Sequence, residues 1–407
     1  MQIVSRRVPS YAELRSMLKF KKFEPDGTKR RLAAAYTIDD VRKIAKRRTP
    51  SGPFDYVDGS AEEEITINKV KQYFRDAEFQ PRIFQDISNT DLSTQLFGKE
   101  YRLPFGFAPT GFTRLMHHQG EKAVVRSALR NGIPYALSTV GTTSIEDLAA
   151  EAPDANRWFQ LYIWKDRELS KAFIEAAKRH GYQALVLTVD VPTAGNRLRD
   201  LRNGMTIPPQ LTLKTLLDAS YRPNWWFNFL TSEPLEFGFA KGNSGVAADL
   251  AGQLYDPNVT LADIDWIRSL WDGPLIIKGV QTLKDAELVV QAGADGIVVS
   301  NHGGRQLDRA PIPLRILPSI VDSVGDKATV MLDTGITSGA DIVAALASGA
   351  KFVWVGRAYL YGLMAGGEAG VNRVVQILES EVLRTMKLLG VERIDQLSRE
   401  HVRLQGL

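Results

Sequence analysis

Gly296-Ile-Val-Val-Ser-Asn-His-Gly-Gly-Arg-Gln306 is a short apolar run that breaks into a glycine-rich loop carrying an imidazole and a guanidinium. So short a run, β-branched and bounded by glycine, reads as a strand buried on both faces. Seven more runs of this kind lie at 105–110, 134–139, 158–163, 184–190, 274–280, 329–335 and 352–357. Most are spaced by roughly 20–35 residues, enough for a strand, a helix and two loops, so the chain reads as repeated βα units. A doubly wound open sheet competes with a barrel at this point. The count of eight favours a (β/α)8 TIM barrel, and so does the position of Thr110, Thr139, Tyr162, Asp190, Lys278, His302, Asp333 and Arg357 at or near the C-terminal ends of these strands. In a barrel those ends converge on one mouth, where the active site is built; an open sheet would spread them along a line.

The spacing fails once. Roughly 80 residues separate strand four from strand five, far beyond an ordinary βα connection. We therefore divide the chain into a basic N-terminal extension (1–49) with a short helix at 38–46, and a barrel domain (50–407) with 193–270 as a lid or insertion after strand 4. The insertion contains Arg222-Pro-Asn-Trp-Trp-Phe-Asn-Phe-Leu230 and a leucine-rich run at 211–217, which suit a lid packed on the barrel or an exposed membrane or partner patch.

Composition narrows the classes. The 407 residues include no cysteine, which removes disulfides, thiolate metal sites and a cysteine nucleophile and fits a reducing, cytoplasmic compartment. There is neither a signal-like apolar segment at the start nor an apolar run near membrane-spanning length. Residues 1–49 hold fourteen Lys/Arg against five Asp/Glu, a net +9 in a chain whose total is +4. Such a segment suits an anionic membrane surface, an acidic neighbour or plain solvent. No aromatic-interleaved basic groove accompanies it, so nucleic acid is not expected.

His302 and Arg305, three residues apart on one loop, offer a general base and a carboxylate clamp together. Asp190, in Leu187-Thr-Val-Asp-Val-Pro192, is a lone carboxylate on an apolar strand and needs a donor, for which His302 is suited. Lys278 interrupts Pro274-Leu-Ile-Ile-Lys-Gly-Val280; it should face a negative charge, act as a Schiff-base lysine, or form a salt bridge. Asp333-Thr-Gly335 and Gly356-Arg357 end strands seven and eight, where barrels often hold a phosphate.

Residues 300–306, followed by Leu307-Asp308, resemble the active-site signature of the FMN-dependent 2-hydroxy-acid dehydrogenases and oxidases. The resemblance continues through Phe54-Asp-Tyr56, Ala108-Pro-Thr-Gly111, Phe159-Gln-Leu-Tyr162, Thr188-Val-Asp190, Lys278-Gly279, Leu332-Asp333 and Gly356-Arg357, and covers about residue 36 to the C-terminus. The tryptophan-containing insertion and residues 356–363 are most similar to the respiratory L-lactate dehydrogenases of bacteria, with mandelate dehydrogenases close behind.

The resemblance implies FMN, a homo-oligomer of tetramer type, and a set of roles. His302 would be the base and Asp190 its partner; Arg305, Tyr56 and Arg197 would hold the substrate carboxylate, and Tyr162 its hydroxyl. Lys278 would stabilise the reduced flavin; Ser138, Gln160, Thr188 and Ser300 would bind its ring, with Pro109, Thr110 and Gly111 against its face. Asp333, Gly335, Gly356 and Arg357 would take ribityl and phosphate; no metal is implied. Two departures stand out: Thr337 and Ser338 occupy the positions where many members carry a phosphate-binding arginine, and Gly111 and Val140 stand where several oxidases have alanine and tryptophan. The expected reaction is oxidation of an L-2-hydroxy acid, foremost L-lactate to pyruvate, with a quinone or cytochrome as acceptor and possible peripheral membrane contact. An oxygen-using oxidase of lactate, glycolate or mandelate is the alternative, and a non-redox phosphate-binding lyase is more remote.

Overall fold

A computed structural model describes residues 7–18, 24–204, 217–218, 220–240 and 256–405. Its centre is eight parallel strands: β1 (Phe105–Phe107), β2 (Tyr135–Ser138), β3 (Arg157–Leu161), β4 (Ala184–Thr188), β5 (Leu275–Val280), β6 (Gly296–Val299), β7 (Thr329–Leu332) and β8 (Phe352–Val355). Each pairs with the next, and β8 returns to β1 through Val353↔Phe105, Trp354↔Gly106 and Val355↔Phe107, which closes the expected TIM barrel. Most strands stop two or three residues before the ends read from sequence, because those residues leave the ladder to form the mouth loops.

Successive side chains in a strand point to opposite faces, and the burial of this barrel follows that rule. Leu137, Phe159, Leu185, Leu187, Ile277, Ile297, Val299, Leu332 and Val353 point outward into one large core under the helices. Ala136, Trp158, Ala184, Val186, Ile276, Val298, Met331, Phe352 and Trp354 point inward and form a second, separate core. Large and small residues alternate around this interior: Trp158 is flanked in register by Ala136 and Ala184 on the neighbouring strands and meets Trp354 edge-on at 4.9 Å. A two-stranded hairpin, Thr94–Leu96 paired with Lys99–Tyr101, plugs the bottom, where Tyr101 packs on Phe352.

The N-terminal segment is more built-in than a solvated arm with one short helix. Its helices are α1 (Tyr11–Met17), α2 (Gly27–Ala33) and α3 (Ile38–Arg48), followed by α4 (Ser51–Asp58) and α5 (Ile65–Arg75). Thr37 and Asp40 form a reciprocal cap at the start of α3. The helix buries Ile38, Val41 and Ala45 against the long C-terminal helix Arg357–Leu389, and its basic residues flank that apolar face. The apolar positions between the charges are what a count of net charge overlooks.

Within the long insertion, the aromatic stretch forms helix Pro223–Thr231, with proline in its first turn. Trp225 donates its indole N–H to the Leu115 carbonyl at 3.1 Å and stacks on Phe229 at 4.9 Å, while Phe227 and Leu230 are 66 % and 59 % exposed. One side of the helix thus packs on the barrel, as expected of a lid, and the other faces outward. Residues 211–216 of the leucine-rich run lie outside the described residues. Ala262–Leu270 is the barrel helix leading into β5, so the extra chain ends before it rather than at residue 270.

Because Trp158 is buried at the centre of the inner core, Trp158→Ala should destabilise the fold by about 3–5 kcal/mol. Urea unfolding followed by circular dichroism would read this as a clear drop in midpoint.

Candidate active site

The inner register that makes the plug also makes the site. Moving two residues toward the mouth from Ala136, Trp158, Val186, Ile276, Val298 and Met331 reaches Ser138, Gln160, Thr188, Lys278, Ser300 and Asp333. Six polar side chains therefore stand in one layer above an apolar floor, and each is buried. Lys278 Nζ lies 3.0 Å from Asp333 Oδ2 and donates to Ser300 Oγ at 3.1 Å. Of the readings open for Lys278, a salt bridge is thus present, with a partner that the sequence had marked for ribityl or phosphate. Burial lowers the lysine's pKa, but Asp333 and Asp190 outweigh it and leave the ammonium above its usual range.

Beyond β6 the chain turns sharply. His302 has φ +58, an uncommon conformation for a residue with a Cβ. Gly303 follows at φ +68, where a side chain is strained, and an added Cβ would lie 2.7 Å from Arg357 Nη1 and push on that guanidinium. Ser300 Oγ accepts from the His302 N–H at 3.0 Å, and Asn301 Oδ1 from the Gly304 N–H at 3.1 Å, fixing the turn. His302 Nδ1 then lies 3.0 Å from Asp190 Oδ1, as the sequence suggested. Asp190 is buried, so Nδ1 is the nitrogen that carries the proton and Nε2 is left as the acceptor. Burial holds His302 below its ordinary pKa of 6.5, against the upward pull of Asp190.

Two arginines secure the N-terminal helix to this mouth. The last carbonyls of a helix have no partner within it, and here those around the end of α4 receive guanidinium N–H groups. Arg305 Nη1 donates to the Tyr56 carbonyl and, at 3.3 Å, to that of Gly59. Arg357 donates from Nε to Val57 O at 2.9 Å, and from Nη2 to Gly59 O, Ser60 Oγ and Gly303 O at 2.8–2.9 Å. Tyr56 is thereby brought under Arg305, whose guanidinium sits 4.8 Å from the ring centre; that of Arg197 lies at 6.0 Å. Neither Arg197 nor Arg305 forms an ion pair of 4 Å or less with a carboxylate among the described residues. Burial first, then the charge of Arg197, draws the Arg305 pKa down to about 10, which still leaves Arg305 charged at neutral pH.

These groups surround a cavity of about 760 Å³, in the size range of small-molecule sites. Tyr56, Pro109, Thr110, Gly111, Ser138, Tyr162, Arg197, Lys278, His302, Arg305, Asp333, Gly335, Gly356 and Arg357 line it. Asp190, Gln160, Thr188 and Ser300 do not line it; Asp190 and Ser300 act on His302 and Lys278 from behind. Gln306 went unassigned in the sequence although it belongs to the signature. Its amide donates to Asp190 O at 3.3 Å and Thr193 O at 2.9 Å and accepts from the Gly195 N–H, which ties the loop after β4 to the loop after β6. Thr334 was also missed: its hydroxyl accepts from the Gly303 N–H at 3.0 Å. Only its place beside Asp333 could have hinted at this.

Residues 45–404 match the profile of the FMN-dependent dehydrogenases. The chain belongs to that family. It is 53 % identical over 399 residues to a Mycobacterium tuberculosis protein named "Putative L-lactate dehydrogenase", covering 98 % of this chain and 96 % of that one. A Caulobacter protein named L-lactate dehydrogenase is 40 % identical over 367 residues, or 88 % and 96 % of the two chains. Among solved structures, the monotopic membrane protein (S)-mandelate dehydrogenase superimposes with a TM-score of 0.88 at 36 % identity, over 91 % of this chain and 100 % of that one.

The family's cofactor is FMN, and the residues present fit it. Gln160 Nε2 and Thr188 Oγ1 are buried without a hydrogen-bond partner, a costly state unless a ligand supplies one. Both belong to the set expected to bind the flavin ring. At Gly356 an added Cβ would meet only Ala108, at 3.9 Å, so the backbone there is open to a close-lying group.

Proposed function

We propose that this enzyme oxidises L-lactate to pyruvate and passes the electrons to a quinone or cytochrome. The observation that carries the reading is the juxtaposition of two arginines lacking a carboxylate with an imidazole whose far side is held by a buried aspartate. The arginines suit the carboxylate of a small acid, Arg305 offering a planar two-donor fork. Tyr56, stacked beneath Arg305, completes that clamp, and Tyr162 on the cavity wall suits the hydroxyl. Turning a 2-hydroxy acid into a 2-oxo acid removes two electrons and two protons, and bound FMN would accept both electrons and one of the protons. His302 takes the other proton at Nε2, while Asp190 holds the ring and stabilises the imidazolium. Lys278 keeps a positive charge at the floor, where negative charge would build up.

Lactate as the acid rests on the relatives' names and on the identity to them. For the acceptor, Gly111 and Val140 support a route other than oxygen. They touch: a Cβ on Gly111 would lie 2.7 Å from Val140 Cγ2, so the pair acts as one small unit where several oxidases carry bulkier residues. A panel of lactate, glycolate and mandelate against a soluble quinone, a redox dye and oxygen tests both parts. Fast turnover of L-lactate with quinone or dye and little peroxide is expected; rapid peroxide formation would move the protein to the oxidase reading.

The imidazole also fixes a pH dependence. Neutral His302 is the active form, and its lowered pKa keeps that form dominant at pH 7 and below its ordinary 6.5. The fall of kcat/KM toward acid should therefore lie below pH 6.5, with His302→Gln costing about 10²–10⁴-fold at neutral pH. Asp190→Asn removes the upward pull and should push the acid fall lower still while reducing kcat. An unmoved or raised acid limb would refute the pairing role.

We further propose peripheral membrane contact through the exposed side of helix Pro223–Thr231 together with the basic segment 1–49. No helix of the described residues is long and apolar enough to cross a membrane. Exposed Phe227 and Leu230 supply an apolar contribution and the +9 segment an electrostatic one, two signals that reversible binding tends to combine. Flotation with anionic vesicles at low salt, lost at high salt, is the expected result. Sedimentation without vesicles at every salt level would overturn membrane contact and leave the patch to the fold or to contact between copies of the chain.

A further inference from the structure

FMN ends in a phosphate bearing close to two negative charges at neutral pH, and a site for it needs cations or free N–H donors. At the end of the cavity formed by the turns after β7 and β8, the expected donors are largely engaged. Thr337, standing where many family members carry arginine, turns inward: its N–H and hydroxyl both donate to Asp341 Oδ2, at 2.8 and 3.0 Å. Arg357 has Nε and Nη2 committed to oxygens of Val57, Gly59, Ser60 and Gly303. Arg42, also on the cavity wall, is paired with Asp58 through two hydrogen bonds of 2.5 and 2.9 Å.

Helix α5 brings another cation to the same place. Ile67, Lys71, Phe74 and Arg75 line the cavity, a spacing that puts them on one helix face. The helix lies directly on the turn after β7, since a Cβ on Gly335 would sit 2.4 Å from Val70 Cγ1 and 3.0 Å from Phe74 Cε2. Lys71 is half-buried, and among the described residues it has no hydrogen bond to its ammonium and no carboxylate within 4 Å. A half-buried ammonium without a partner is costly unless an anion completes it.

We propose that Lys71 binds the FMN phosphate in place of the arginine that Thr337 replaces, with Arg75 one turn further on adding to the positive field. Burial first, and then the nearby Arg357 charge, lower the Lys71 pKa, which agrees with its being grouped with Arg357 around one anion. The proposal rests on FMN as cofactor and is independent of which acid is oxidised or which acceptor is used.

The test compares two flavins that differ only in the phosphate. Full-length protein freed of flavin is titrated with FMN and with riboflavin, following the quenching of flavin fluorescence. Lys71→Gln should weaken FMN binding by about tenfold or more, the loss of one charge-assisted contact, while riboflavin affinity stays within about twofold. Adding Thr337→Arg to that variant should restore FMN binding by restoring the family's arginine. FMN affinity within about twofold of wild type in Lys71→Gln would overturn the proposal. So would an equal loss for both flavins, because that pattern belongs to a displaced helix and not to a phosphate contact.

Discussion

Closure of the sheet on itself is the constraint from which the rest follows. Once β8 pairs with β1, every second side chain of eight strands must point into a narrow interior, with no edge at which the register could slip. The sequence meets this with an apolar layer of mixed sizes below and a polar layer two residues higher. Polar groups placed so deep cannot rely on water, and each has to find a partner in the protein or in a ligand. Lys278, Asp333 and Ser300 satisfy one another; Ser138 donates to Gln160 Oε1 at 2.9 Å. What is left over, Gln160 Nε2 and Thr188 Oγ1, is where the fold asks for a cofactor.

The parts of the molecule that could be read from sequence are those written in local periodicity. Short β-rich runs gave the strands, and a polar residue at the end of an apolar run gave a mouth position, so the His302 and Asp190 pair could be foreseen from strand arithmetic. Arg305 and Arg357 were readable as cations but not as caps of α4, because the groups they bind are backbone carbonyls, which look alike at every residue. The pairing of Lys278 with Asp333 was hidden for a different reason. Several carboxylates converge on one mouth, and only the stagger of β5 against β7 decides which of them lies nearest. In the N-terminal segment, net charge drew the eye away from Ile38, Val41 and Ala45, although their spacing is that of a buried helix face.

The site is also a place of stored backbone strain. His302 and Thr334 both adopt positive φ, at +58 and +78, and they flank Gly303 from two different strands. Such conformations persist when the surroundings over-determine them. Here they are held by Ser300, Asn301 and the arginine contacts to Gly303, so residues with no part in the chemistry fix the angle from which the imidazole faces the cavity. This also gives a reason for two adjacent glycines after the histidine: the loop must turn back on itself within hydrogen-bonding reach of Arg357.

The bonds from Arg357 to the end of α4 join residues 300 positions apart in the chain. During biosynthesis α4 emerges early, but one of the two guanidinium groups that cap it is made only when β8 is complete. At about 5–20 residues per second, that interval is about 15–60 s. The cap on the helix that carries Tyr56 is therefore complete only after most of the polypeptide has been made. A nascent chain stalled before residue 357 would carry the imidazole, its aspartate and Arg305, but α4 would be capped by one guanidinium instead of two.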